Sequence, residues 1–198
     1  MGSMQFWVAY GSTYSYLTVA RIGAAAQQAG VTVDWRPLFL NPIFVEQGRP
    51  QGPFVPYPAK MRYMWVDLER RAKLHGIPYG RPSRYPIKSA RPARVGLVGA
   101  EGGWCRQFTE AAFKLHWTND IPMDTDENLR RAIASCGHDP EAVLDRADSP
   151  EIEQSLAKQV DYAKSIGIFG APTFVVGGEI FWGDDRLEDA LSRASGRT

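Results

Sequence analysis

The residues best suited to chemistry lie near the N-terminus, where an apolar run ends at Gly11 and is followed by Ser12 and Ser15. This pattern predicts a strand that leads into a helix with hydroxyl groups in its first turn. The first turn of a helix has free backbone N–H groups and the positive end of the helix dipole, so it stabilises an anion. Ser12 can also donate a hydrogen bond to a sulfur anion without being a thiol itself. The sequence therefore predicts a site that activates the thiol of a bound molecule, unless Ser12 only caps the helix, a position that serine favours.

The elements that position Ser12 form a βαβ unit. Residues 5–10 read as a buried strand, residues 14–29 as a helix that ends at Gly30, and residues 31–38 as a second, alternating strand. Two parallel strands need a crossover connection, which the helix supplies.

The rest of the chain is helical before it returns to strands. We predict a long loop at residues 41–58, a helix at 59–75 and a region of three or four helices at 92–165. Two short strands joined by Gly177-Gly178 follow at 169–182, and a final helix at 185–194. The order β-α-β, helices, β-β-α is that of an α/β thioredoxin-like fold split by an inserted all-helical domain. We assign residues 4–45 and 166–198 to the thioredoxin-like domain and 46–165 to the insertion. Residues 1–3 read as an expression scar and are left out of the predicted fold.

Composition excludes several classes of protein. The chain has 198 residues, 44% of them hydrophobic, and a net charge of +1, so it has no global field that would attract nucleic acid or an anionic membrane. Cys105 and Cys136 form no Cys-x-x-Cys motif, and neither is predicted to lie at the start of a helix. We also find no signal sequence and no apolar run of membrane-spanning length, so we expect a reduced, cytoplasmic protein. The three histidines lack metal-ligand spacing, which predicts packing or surface roles and no metal site.

Three motifs in order resemble the 2-hydroxychromene-2-carboxylate isomerase family, which is grouped with kappa-class glutathione transferases and DsbA-like oxidoreductases. They are residues 11–17 (GSTYSYL), 170–174 (GAPTF) and 182–187 (WGDDRL). The resemblance spans residues 5–195. Thr13 stands where the family has a proline.

The resemblance implies a role for each motif in binding glutathione. Ser12 would donate a hydrogen bond to the glutathione sulfur. The Ala171–Pro172 bond would be cis, although a trans turn proline is the alternative, and the Ala171 backbone would pair with the cysteinyl backbone of glutathione. Asp185 would bind the α-ammonium group, while Asp184 stands where the family has serine or asparagine. A second carboxylate there disfavours the ligand's own carboxylate unless it is paired, and both acids could instead only stabilise a helix start.

We also predict a cleft between the two domains that collects cations and aromatic rings. Its residues are Lys60, Tyr63, Arg84, Tyr85, Lys88 and Arg91. Cations over an aromatic wall suit a planar aromatic carboxylate, although each charge alone could be ordinary solvated surface. The resemblance supports Lys60, whereas Lys88 stands where relatives often have asparagine.

These features predict a glutathione-dependent isomerase of a 2-hydroxychromene-2-carboxylate-like acid, in which a thiolate stabilised by Ser12 adds reversibly to the substrate. The resemblance also implies a homodimer and a place in aromatic compound degradation. Two alternatives share the same residues: a kappa-class-like transferase that conjugates electrophiles, and a non-catalytic module that binds thiols or peptides. Dithiol exchange at this helix start is excluded, because Ser12 and Ser15 stand where such an enzyme has cysteines.

Overall fold

A computed structural model describes residues 2–196, and its centre is a four-stranded sheet of order β2-β1-β3-β4. The strands are β1 (Gly2–Ala9), β2 (Val31–Leu38), β3 (Thr173–Val176) and β4 (Glu179–Trp182). β1 pairs with β2 in parallel and with β3 in antiparallel orientation, and β3 and β4 form a hairpin. The apolar run Phe6-Trp7-Val8 forms the middle strand because both of its faces are covered, and all three side chains are fully buried.

Helix α1 (Thr13–Ala29) connects the two parallel strands, as the βαβ pattern predicts. It begins after Ser12, which has an extended backbone conformation, and ends at Gly30. Gly30 has a left-handed φ of 67°, and its N–H donates to the Ala26 and Gln27 carbonyls. The start of α1 therefore lies directly after the carboxyl end of β1.

The remaining helices lie between β2 and β3, except for the last. They are α2 (Asn41–Glu46), α3 (Pro58–Leu74), α4 (Ala90–Glu101), α5 (Cys105–Asn119), α6 (Asp126–Ser135), α7 (Pro140–Ala147), α8 (Pro150–Ser165) and, after a 3₁₀ turn at Asp184–Arg186, α9 (Leu187–Ser195). Among the helices of residues 2–196, none has both the length and the apolar character needed to cross a membrane.

Three details of the predicted elements were wrong. In the described chain, residues 90–165 hold five helices rather than three or four, because Gly102 and Gly103 interrupt the pattern and Gly103 has a left-handed φ of 77°. The predicted loop at 41–58 contains the short helix α2. Gly2 and Ser3, which we left out of the fold, belong to β1 and align with β2. The domain assignment is a separate prediction, and its boundary at 45/46 falls one residue before the end of α2.

One hydrophobic core joins the sheet to the helical region. Tyr16 of α1 stacks on Trp117 of α5 with ring centroids 4.8 Å apart, and Tyr10 packs against Phe108 and Phe113. An aromatic pair of this kind stabilises by about 1 kcal/mol beyond its buried area. These contacts hold the start of α1 against the helical region, which places Ser12 near residues from both parts of the chain.

Candidate active site

Ser12 makes two hydrogen bonds with its hydroxyl group. Its Oγ accepts from the Ser15 N–H at 3.2 Å, which is the capping contact, and donates to the Ala171 carbonyl at 3.0 Å. Ser12 therefore does cap α1, and its proton also reaches the loop on the far side of the site. No acidic residue occupies the first turn of α1. An anion near this hydroxyl would meet a hydrogen-bond donor and a positive helix end, without a competing carboxylate in that turn.

The loop opposite Ser12 contains the cis Ala171–Pro172 bond, which confirms that prediction. The loop is held from both sides, since the Pro172 carbonyl accepts from the Gly183 N–H at 3.0 Å and Thr173 Oγ1 donates to the Gly170 carbonyl at 2.8 Å. The same Gly183 begins the turn that carries Asp184 and Asp185. The Ala171 loop and the aspartate turn are thus linked by a direct hydrogen bond.

Two exposed aromatic rings flank this loop. Phe169 and Trp182 pack with ring centroids 5.0 Å apart and are 45% and 52% exposed. A Cβ atom at Gly170 would lie 2.6 Å from Trp182 Nε1, so glycine is needed for the indole to lie against the loop. The pair gives the site an apolar surface on which a ligand can pack. Phe169 was not predicted as a site residue, because the only sequence feature that marks it is its position directly before Gly170.

Asp184 and Asp185 have different environments. Asp184 is 3% exposed, and its Oδ2 lies 2.7 Å from both Nε and Nη2 of Arg71 on α3. Burial raises the pKa of Asp184, while Arg71 opposes that change. Asp185 is half-exposed, and its Oδ1 lies so close to Gly183 that a Cβ there would be 2.4 Å away. Asp185 lies 3.5 Å from the exposed Arg186 and remains accessible to a bound cation, whereas the Asp184 carboxylate is buried against Arg71.

A polar network joins the first turn of α1 to α3. Tyr14 donates a hydrogen bond to Asp67 at 2.8 Å, and Thr13 Oγ1 lies 3.3 Å from Met64 Sδ. Burial and the neighbouring Asp67 raise the pKa of Tyr14 well above its ordinary value, so this phenol stays protonated. Asp67 and Arg71 lie one turn apart on the face of α3 that meets α1. Arg71 could not be identified from the sequence, because its partner Asp184 is far away along the chain.

The predicted cleft residues divide into two groups. Lys60 Nζ lies 5.3 Å from the centre of the Phe54 ring, and that ring packs against Tyr14, which brings Lys60 near the start of α1. Tyr63 is 60% exposed one turn further along α3. This group presents a cation and a phenol beside the site.

The second group lies on the segment before α4. Tyr85 packs edge-on against Trp65, and the Lys88 N–H donates to Asp124 Oδ2 at 2.9 Å. The next residue, Ser89, lies against the Gly11 backbone, where an added Cβ would be 3.2 Å from Ser89 Oγ. Lys88 is therefore next to a residue that touches the start of α1.

Arg84 and Arg91 are engaged elsewhere. Arg84 pairs with Asp124, and Arg91 pairs with Asp126 and Asp148. These ion pairs position the segment before α4 and the start of α4, so the two arginines act in structure rather than as free cations of the cleft.

A separate cavity of about 310 Å³ lies beside α3 and contains none of the predicted site residues. It is lined by Arg62, Trp65, Val66, Glu69, Tyr79 and Arg81. The α3 residues that line it lie on a different face of the helix from Met64 and Asp67, which contact α1.

The cysteines are poorly suited to redox chemistry. Cys105 is the first residue of α5, so the prediction that neither cysteine starts a helix was wrong. Burial nevertheless raises the pKa of the Cys105 thiol to about 12, and burial also raises the pKa of Cys136. His116 is buried, which lowers its pKa to about 4, and His138 packs on Trp104.

Comparison with known proteins agrees with this architecture. The profile of the DSBA-like thioredoxin domain matches residues 3–194. A 2-hydroxychromene-2-carboxylate isomerase of Sphingobium xenophagum is 27% identical over 94% of both chains. Glutathione S-transferase kappa 1 of Caenorhabditis elegans is 26% identical over 89% of this chain and 83% of its own length. A solved structure of a 2-hydroxychromene-2-carboxylate isomerase superposes with a TM-score of 0.87 at 28% identity, covering 98% of this chain and 95% of the other. The predicted fold class, a thioredoxin-like fold with inserted helices, is confirmed.

Proposed function

The chain belongs to the DSBA-like thioredoxin domain family, and we propose that it is a glutathione-dependent isomerase of an aromatic acid resembling 2-hydroxychromene-2-carboxylate. The observation that carries this proposal is the Ser12 hydroxyl, placed at the start of α1 and 3.0 Å from the Ala171 carbonyl beside a cis proline. The relatives named isomerases extend over nearly the whole chain, which supports the same reaction class.

The residues at this site fit glutathione. Ser12 provides a donor for the sulfur, and the Ala171 backbone provides an edge for the peptide. Asp185 is accessible to the α-ammonium group, and the charge of Asp184 is offset by Arg71. When bound, glutathione supplies a thiolate that can add reversibly to a conjugated ring system and leave again unchanged.

The residues of the site have different tasks in the proposed reaction. Ser12 turns its proton from the Ala171 carbonyl toward the sulfur, and together with the helix dipole it favours the ionised form. Lys60, which lies over the Phe54 ring near the start of α1, attracts the carboxylate of the substrate, and Lys88, the residue before Ser89, adds positive charge to the segment that touches Gly11. Phe169 and Trp182 offer the rings an apolar surface. No cysteine of the chain takes part.

A transferase that conjugates electrophiles is the second candidate, and the kappa-class relative favours it. It would use the same residues to stabilise the same thiolate. The two differ in outcome, because a transferase leaves the thiol attached to the product.

The experiment that tests the proposal follows both the substrate and the thiol. The purified protein is incubated with 2-hydroxychromene-2-carboxylate, with and without glutathione, and the products are separated. We expect a trans-benzylidenepyruvate-type isomer only when glutathione is present, with all of the glutathione recovered. A glutathione conjugate would favour the transferase, and glutathione binding without any turnover would favour a binding module.

Asp185 and Asp189 provide a matched pair for the same test. Both carboxylates are about half-exposed, and both lie near Arg186, at 3.5 and 3.0 Å. We expect Asp185→Ala to weaken glutathione binding and Asp189→Ala to leave it unchanged. Equal affinities for the two variants would remove Asp185 from the site.

A further inference from the structure

The ion pair between Arg71 and Asp184 joins the helical region to the turn that follows the sheet. Asp184 is the first residue of the 3₁₀ turn and is 3% exposed, while the Arg71 side chain on α3 keeps 23% of its surface exposed. The two lie 113 positions apart in sequence. Arg21 of α1 also donates a hydrogen bond to the carbonyl of Asp184. Three separate parts of the chain therefore meet at this one aspartate.

The charge balance around the turn depends on Arg71. Asp184 and Asp185 are adjacent, and Asp67 lies one helical turn from Arg71 on α3. Arg21 is already engaged by Glu188. If Arg71 were neutral, the buried Asp184 carboxylate would lose its partner, because Arg21 pairs with Glu188 and Arg186 pairs with Asp185 and Asp189 on the exposed side of the turn. A ligand's carboxylate would be repelled from such a turn.

We propose that Arg71 is a specificity-determining residue, which offsets Asp184 so that the turn can accept the carboxylate of a zwitterionic amino-acid group. This inference rests on the proposed function, in which the γ-glutamyl end of glutathione supplies that group. Arg71 and Asp184 then act as a unit: the guanidinium neutralises the buried Asp184 carboxylate, so that the N–H groups of the turn can take the ligand's carboxylate while Asp185 takes the ammonium. Asp184 does not bind the ligand directly, because its carboxylate is buried and faces Arg71.

The unit predicts a specific pattern in a double-mutant cycle. Arg71→Met leaves a buried, unpaired carboxylate, and we expect it to weaken glutathione binding by roughly 10-fold or more. Asp184→Asn frees Arg71, so glutathione should bind at least as tightly as to the unchanged protein. The double variant Arg71→Met/Asp184→Asn should recover affinity to within about 3-fold, because both charges are removed together.

The measurement is a calorimetric titration of glutathione and of cysteinylglycine, which lacks the glutamyl residue. Arg70→Met is the matched control, because Arg70 is the neighbouring, exposed arginine of the same helix. We expect Arg71→Met to lose glutathione affinity but to bind cysteinylglycine like the unchanged protein, and Arg70→Met to bind both normally. Circular dichroism of each variant establishes that it is folded.

Several outcomes would overturn the inference. Equal glutathione affinities for Arg71→Met and Arg70→Met would show that the charge of Arg71 is not needed. If Arg71→Met does not fold, the other variants still decide, since weaker binding by Asp184→Asn would mean that Asp184 contacts the ligand itself. Failure of the unchanged protein to bind glutathione would overturn the proposed function and this inference with it, whereas the first two results would overturn this inference alone.

Discussion

Replacing Ser12 by alanine separates the two roles of this residue when Ser149 is used as the reference. Both serines cap a helix, since Ser12 Oγ accepts from the Ser15 N–H and Ser149 Oγ accepts from the Ile152 N–H. Ser12 also donates a hydrogen bond across the site, to the Ala171 carbonyl, whereas the further partner of the Ser149 hydroxyl is the exposed carboxylate of Glu151 in the same turn. Loss of a cap costs about 1 kcal/mol, and loss of the additional hydrogen bond costs about 1 kcal/mol more. We therefore expect Ser12→Ala to lose about 2 kcal/mol of unfolding free energy and Ser149→Ala about 1.

The difference of about 1 kcal/mol corresponds to roughly 2–4 °C in melting temperature for a chain of this size, which thermal denaturation resolves. Activity should separate the two variants much further. Removal of one donor to a developing anion costs roughly 10²–10³-fold in rate, so Ser12→Ala should be nearly inactive with glutathione and a chromene carboxylate, while Ser149→Ala should keep its rate. Equal stability losses would refute the second hydrogen bond, and equal activities would refute the chemical role of Ser12.

Three further predictions concern residues around the site. Asp124 accepts from Arg84 and from the Lys88 N–H, so Asp124→Asn should raise KM for the aromatic acid several-fold while glutathione affinity, measured by titration, stays unchanged; an unchanged KM would contradict this. Burial lowers the pKa of His116 to about 4, against about 6.5 in the unfolded chain. As pH falls from 7 to 4, His116 therefore binds a proton in the unfolded chain more readily than in the folded protein, and the unfolding free energy should fall by about 3 kcal/mol. Chemical denaturation at several pH values should show that His116→Gln reduces this loss, and an identical pH dependence would count against it. Because burial raises the Cys105 pKa to about 12, iodoacetamide at neutral pH should modify Cys136 well before Cys105, as peptide mass spectrometry would show; the reverse order would contradict the burial argument.

The elements with strong local signals could be predicted from the sequence. The first strand, α1 and its end at Gly30, and the hairpin at Gly177-Gly178 follow from apolar periodicity and from glycines with positive φ. The short helix α2 could not be predicted, because its six residues lie among prolines and glycines and are too few to show a helical period.

The site could be predicted only where its residues belong to a local motif. Ser12 and the cis Ala171–Pro172 bond follow from motifs that the resemblance supplies. The pairing of Asp184 with Arg71 depends on how α3 packs against the turn, and a contact over 113 positions leaves no pattern in a single sequence. For the same reason Arg84 was expected to be a free cation, although its partner Asp124 lies on a distant loop.

The most direct test of the central claim is the ionisation state of bound glutathione. We would record the ultraviolet absorbance of the thiolate while glutathione is titrated, at neutral pH, into the unchanged protein and into Ser12→Ala. We expect a saturable thiolate signal with the unchanged protein, and binding without that signal for Ser12→Ala. Bound glutathione that remains a thiol in the unchanged protein, or an equal signal from both proteins, would contradict the claim that Ser12 activates the sulfur.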